Sequence, residues 1–203
     1  YMNRYNIWIN GPPLSDGTKL FPPLTRKQHQ VDAVRWCLSR EINDRTGGLL
    51  ADEMGLGKTY EMMGLLIANT LDHTLVVVPP SLLAQWRQCL IKYVSGTQEL
   101  YVFHGKGGGG FPSPLPRIIL TTYMMVTKMI NKLKINIEWD RIVFDEAHHL
   151  RNRGTRIYRA ALKLRSRLKW GMTGTPIQNS LGDMRALCEI LEVRDENFLL
   201  RQQ

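Results

Sequence analysis

Cysteine is scarce in this sequence. Three occur among 203 residues, Cys37, Cys89 and Cys188, odd in number and widely spaced. That pattern argues against a disulfide framework and against zinc, and it fits a reducing compartment. Long apolar runs are lacking: no window approaches the roughly 18 apolar residues of a spanning helix. The first residues, from Tyr1 to Trp8, carry no continuous apolar signal core. Acid is in deficit, with 18 Asp+Glu against 27 Lys+Arg and a net charge of +9. A basic domain suits a polyanion, most often nucleic acid, although a solubilising surface gives the same balance. With 43% hydrophobic and 22% charged residues, the chain is neither disordered nor fibrous. Its length fits one domain, or one domain with an appendage. No internal repeat is present.

Residues 1–23 read as an irregular arm. Gly11, Pro12, Pro13, Pro22 and Pro23 bracket the turn formers Ser15, Asp16 and Gly17, and Ile7, Trp8 and Ile9 form a short strand or pack on the domain. Residues 24–191 read as one domain in which helix and strand patterns alternate. Helices are expected around 31–38, from Lys58, after Ser81 as a cap, over 123–133, over 155–164 and over 181–191. Strands are expected over 48–51, 75–78, 100–103, 118–122, 141–145 and 168–173. Such alternation predicts an α/β fold, a mostly parallel sheet with helices on both faces. Ligands of such sheets bind beyond the carboxyl ends of the strands. The Gly- and Pro-rich stretch 104–116 is expected to be a surface loop. Trp36, Trp86 and Trp139, with Met124, Met125 and Met129, are expected in the core.

Chemistry concentrates after two strands. Asp52, Glu53, Met54, Gly55, Leu56, Gly57, Lys58 and Thr59 follow an apolar run and open a helix. Glycines there let backbone N–H groups turn toward phosphate oxygens, and the helix N-terminus adds positive charge. Lys58 can reach the β- and γ-phosphates and Thr59 can ligate Mg²⁺. The strict phosphate-loop pattern wants glycine where Asp52 stands, so an ordinary Gly-rich helix turn is the competing reading. Residues 141–148, Arg-Ile-Val-Phe-Asp-Glu-Ala-His, are an apolar strand ending in two carboxylates. Asp145 suits metal binding and Glu146 suits orienting or deprotonating a water. Acids favoured by a helix N-terminus are the bland alternative.

These residues together resemble the Swi/Snf-type DNA translocase ATPases of helicase superfamily two. The resemblance rests on residues 52–59, on the Asp-Glu-Ala-His box 145–148, and on Val76 to Trp86 with Ser81, Leu82 and Leu83. It also rests on Phe103-His104-Gly105, on Thr121-Thr122-Tyr123 and on Thr173-Gly174-Thr175-Pro176-Ile177-Gln178-Asn179. It spans residues 30–179, and in that family Asp is the usual residue at the position of Asp52. Gln28, where the family has proline, is a mild departure.

The resemblance implies the first of two RecA-like lobes, with ATP and Mg²⁺ as cofactors and duplex DNA as partner. Lys58, Asp145 and Glu146 take the catalytic positions. Gln30 would read adenine, Gln178 would join residues 52–59 in binding nucleotide, and Thr59 and Asp145 would hold Mg²⁺. His148, Thr173, Thr175 and Gln178 would couple nucleotide state to DNA. Ser81, Gln85, Trp86, Thr121, Thr122 and Tyr123 would lie at the DNA backbone. Residues 192–203 would begin the connection to a second lobe carrying arginine fingers, so the 203-residue chain alone is expected to hydrolyse ATP very poorly. Chromatin or transcription proteins as partners, and a place in the nucleus, follow from the resemblance only. A non-catalytic regulator that uses the ATP site as a switch remains the alternative. Between Leu150 and Trp170 stand eight basic residues and no acid. Arg156, Arg159 and Lys163 would share one helical face, either tracking phosphate or simply solvated.

Overall fold

The computed structural model describes residues 28–94, 99–105, 110–131, 136–175 and 181–193. Six strands are described: β1 (Gly48–Leu50), β2 (Thr74–Val78), β3 (Leu100–Phe103), β4 (Ile118–Thr122), β5 (Glu138–Asp145) and β6 (Arg165–Met172). They form one sheet in the order β1-β6-β5-β2-β4-β3, and every pairing is parallel. The helices are α1 (Gln28–Ser39), α2 (Lys58–Ala68), α3 (Leu83–Cys89), α4 (Tyr123–Asn131), α5 (Arg156–Ala161) and α6 (Leu181–Leu191). The expected α/β class and parallel sheet are therefore present.

Why the sheet needs two helical layers is visible in β2, whose five residues are all buried. Successive side chains of a strand point to opposite faces. Leu75 and Val77 enter one core with Ile142, Phe144 and residues of α4, α5 and α6. Val76 and Val78 enter the other with Val143, Leu120 and residues of α1, α2 and α3. Each face of the central strands thus has its own apolar cover.

Parallel pairing puts the carboxyl ends on one edge. Leu50 and Asp145 are both in register with Met172, two rows apart through β6. At about 4.8 Å per strand, the phosphate-loop strand and the acidic strand end some 10 Å apart at one level. That placement, set by register, builds the site.

Several expectations shift. Strands β5 and β6 each begin three residues earlier than the apolar runs suggest, because Glu138 and Trp139 pair with Arg165 and Ser166. Helix α5 stops at Ala161, so Lys163 lies beyond it. Its cap is Thr155, whose hydroxyl accepts from the Tyr158 N–H at 3.1 Å. Ser81 does not cap through its side chain; it sits in the short turn Pro80–Leu82 ahead of α3. Met125 and Met129 are core, but Met124 is 64% exposed. The Gly/Pro stretch is not all surface: the Phe111 ring stands edge-on to Phe103 and Trp139, with centroids 5.2 and 6.0 Å away. The arm 1–23, residues 106–109, the end of the expected helix at 132–133 and residues 194–203 lie outside the described residues.

At the opposite edge from the site, Arg141 is fully buried. Its Nε donates to Glu41 Oε1 at 2.6 Å, a second guanidinium nitrogen reaches Oε2, and it also donates to the Asn69 carbonyl at 2.9 Å. Asn69 and Trp170 side chains donate to the same carboxylate at 2.7 and 2.8 Å. One buried acid therefore ties the turn after α1 to the end of α2, to β5 and to β6.

Candidate functional site

Residues 51–57 leave β1 and enter α2 at Lys58, as the sequence predicts. The turn depends on Gly57, which caps α2 with φ of 97°. A Cβ there would stand 2.3 Å from Gln30 Nε2, so both conformation and space demand glycine. Gln30 is buried and donates to the Leu56 carbonyl at 2.8 Å. It therefore braces the loop from α1. Lys58 Nζ donates to the carbonyls of Asp52 and Glu53 at 2.6 and 3.0 Å. The ammonium folds back over its own loop, where an incoming phosphate would compete for it.

Asp145 ends β5 on the same edge and is 5% exposed. Its Oδ1 accepts from the Glu146 N–H at 2.9 Å, and its Oδ2 accepts from Trp86 Nε1 at 2.6 Å. Its backbone carbonyl accepts from the Tyr123 hydroxyl at 2.5 Å. Burial pushes the Asp145 carboxyl up from its ordinary value; the two hydrogen bonds and the charge of Lys58 oppose that rise. Lys58 follows β1 and Asp145 ends β5, so the two motifs share one sheet edge. Burial also pushes the Tyr123 hydroxyl well up, reinforced by Asp145 and Glu146, so it stays a donor.

Glu146 turns the chain with φ of 49°, and its carboxylate lies 3.1 Å from His148 Nδ1. The same ring nitrogen is 3.4 Å from Thr173 Oγ1, which accepts from the Thr175 N–H at 3.2 Å. Thr173 in turn donates its N–H to the Leu50 carbonyl at 3.0 Å. Gly174 packs against the loop so closely that a Cβ would meet Met54 Cγ at 2.7 Å. Glu146, His148, Thr173 and Thr175 are therefore linked in one chain of contacts. Gln178 lies outside the described residues.

A model of the SNF2-related domain matches residues 29–196. The chain belongs to this family. A solved structure of the Sulfolobus solfataricus SWI2/SNF2 ATPase core in complex with dsDNA is similar at 33% identity and a TM-score of 0.68, covering 80% of this chain and 35% of that one. The Danio rerio DNA excision repair protein ERCC-6-like is 34% identical over 189 residues, 85% of this chain and 13% of its own length. The Aspergillus fumigatus DNA repair protein rad5 is 32% identical over 199 residues, with 74% and 16% covered. The parallel sheet with its two helical layers is the RecA-like lobe of such a core.

Within this SNF2-related lobe, the six residues expected at DNA divide. Ser81 and Gln85 are exposed beside α3. Trp86, Thr121, Thr122 and Tyr123 are at most 4% exposed, so their side chains do not reach an external duplex. The Thr121 hydroxyl instead donates to the Phe103 carbonyl at 2.8 Å. Trp86 and Tyr123 turn inward to Asp145. The spacing Leu83, Trp86, Leu90 signals an inward tryptophan; nothing local signals its acceptor. The eight cations also divide. Arg153 and Lys169 pair with Glu189 and Glu192 at 2.7 and 2.6 Å, and Arg151 stands 3.9 Å from Asp183. Arg156, Arg159, Lys163, Arg165 and Arg167 are exposed.

Proposed function

We propose that this chain is the ATP-binding lobe of a DNA-dependent ATPase that translocates along duplex DNA and remodels chromatin or other protein–DNA complexes. The observation that carries this reading is the register that ends the strand before Lys58 and the strand of Asp145 at one level of one sheet edge, Leu50 and Asp145 both opposite Met172. Gly55, Gly57, Lys58 and Thr59 would hold the ATP phosphates. Thr59 and Asp145 would hold Mg²⁺, which would neutralise phosphate charge when bound. Their hydroxyl and carboxylate oxygens are the hard donors that Mg²⁺ prefers. Asp145 spends one hydrogen bond on each oxygen, leaving lone pairs of the roughly four a carboxylate offers. Glu146 would orient and deprotonate the attacking water. His148 and Thr173 link that carboxylate to the segment after β6.

The relatives support a DNA-directed role: two are called DNA repair or excision repair proteins, and the solved core is in complex with dsDNA. We extend this to action in the nucleus, including transcription regulation, with contacts mainly to the phosphate backbone and first through Ser81 and Gln85. The test is calorimetry of Mg-ATP binding to the chain. Binding that disappears in Lys58→Ala supports the reading. Binding that survives unchanged in Lys58→Ala overturns the phosphate assignment. In the intact protein, Glu146→Gln should abolish the biological effect; persistence would favour a regulator that uses the site only as a switch.

A further inference from the structure

Asp145 is held from two sides by residues outside its own motif. Trp86 lies on α3, which covers one face of the sheet, and its indole N–H donates to Oδ2. Tyr123 opens α4, which covers the other face, and its hydroxyl donates to the Asp145 carbonyl. Both rings are buried, at 0% and 4% exposure. A carboxylate at the end of a strand has its χ1 and χ2 free unless something fixes them. Here the Glu146 N–H takes one oxygen and the indole takes the other, which orients the remaining lone pairs. The tyrosine fixes the peptide that carries them. Among the described residues these two donors bond to Asp145, whereas Lys58 and Gln30 donate to loop carbonyls.

We propose that Trp86 and Tyr123 are positioning residues that aim the Asp145 carboxylate at the metal, one from each helical layer. The inference rests on the nucleotide reading above. Residues that hydrogen-bond to a metal-binding group, without binding the metal, change metal affinity by about 10–100-fold when lost. Because the phosphates are gripped elsewhere, the loss should fall on the metal-dependent part of ATP binding. Because Gln85 is exposed next to Trp86 on α3, the donor also sits one residue from a surface suited to a DNA phosphate.

The experiment compares ATP affinity with Mg²⁺ and with EDTA, by calorimetry, for the unsubstituted chain, Trp86→Phe and Tyr123→Phe. Each variant keeps an aromatic ring in the core and removes one donor. The expected result is a fall of about tenfold or more in the Mg²⁺ enhancement for Trp86→Phe. Tyr123→Phe should give a smaller fall, since it acts through the backbone. Affinity in EDTA should stay within twofold for both. Mn²⁺ bound with ATP should show an altered electron-spin resonance line shape in Trp86→Phe. Equal losses with and without metal would make the two residues packing only and overturn the proposal, as would an unchanged enhancement. No ATP binding by the unsubstituted chain in either condition would overturn the nucleotide reading itself, and this inference with it.

Discussion

Glu41→Ala should be strongly destabilising, acting at the edge of the sheet opposite the site. The substitution strands the fully buried Arg141 guanidinium, which then keeps only the Asn69 carbonyl among its three recorded acceptor contacts. Breaking a buried pair by removing one partner costs about 3–5 kcal/mol. Asn69 Nδ2 and Trp170 Nε1 lose their acceptor at the same stroke. An orphaned buried donor costs about 1–3 kcal/mol, less where water enters the hole. Allowing for that water, the total should be about 4–7 kcal/mol, against a domain stability of about 5–15 kcal/mol. The assay is urea unfolding of the single variants and of Glu41→Leu with Arg141→Met. The double variant should recover much of the loss, because an apolar pair of similar volume avoids stranding a charge, with a coupling of about 2–3 kcal/mol. Arg141 is four residues before Asp145, roughly 13 Å along the strand at 3.3 Å per residue. Mg-ATP affinity of the folded fraction should therefore not change. A loss no larger than the ~0.5 kcal/mol of an ordinary surface substitution would refute the reasoning.

Further outcomes follow from the same geometry. Burial, then the neighbouring His148, lowers the pKa of His149 below its ordinary 6.5, with Glu146 partly opposing. The folded state then prefers the neutral ring, so its stabilisation is complete above 6.5 and is lost as pH falls through the lower folded value. Thermal unfolding from pH 8 to 5 should show this decline, flatter in His149→Gln; an identical slope in the variant would contradict it. For the basic stretch, Arg156, Arg159 and Lys163 together should account for about 2.7 units of the log–log salt slope of duplex binding if each meets a phosphate. A triple glutamine variant with the parent slope would assign them to solvent.

The architecture was legible because it depends on patterns that repeat. The run 75–78 between turn formers could only be a strand covered on both faces, and the glycines before Lys58 could only start a helix after a turn. The acid pair was legible for the same reason, since Asp145 ends an apolar run. The strand extensions were not. Glu138 and Arg165 read as loop residues, and it is their pairing with each other across β5 and β6, a non-local one, that makes them strand. Glu41 was equally silent. It sits in a polar turn whose neighbours are charged, and its burial is imposed by Arg141, a hundred residues away in sequence.

The division of the expected DNA residues has a more general cause. A motif marks which side chains serve a function, while the direction in which each one points is decided by the element that carries it. Thr121 and Thr122 close β4, which is flanked by β2 and β3 and covered on both faces, so both hydroxyls were bound to end inside. Trp86 lies on the apolar stripe of α3, and Gln85 beside it does not, so one short helix shows an amide to solvent and an indole to Asp145. The consequence for function is specific. The two segments that read as DNA contacts are also the two that hold the Asp145 carboxylate and its peptide. Anything that displaces α3 or the start of α4 must move a donor off Asp145 or its peptide. If Asp145 holds Mg²⁺ as proposed, a phosphate met by Gln85 and the aim of that carboxylate would be linked through one short helix.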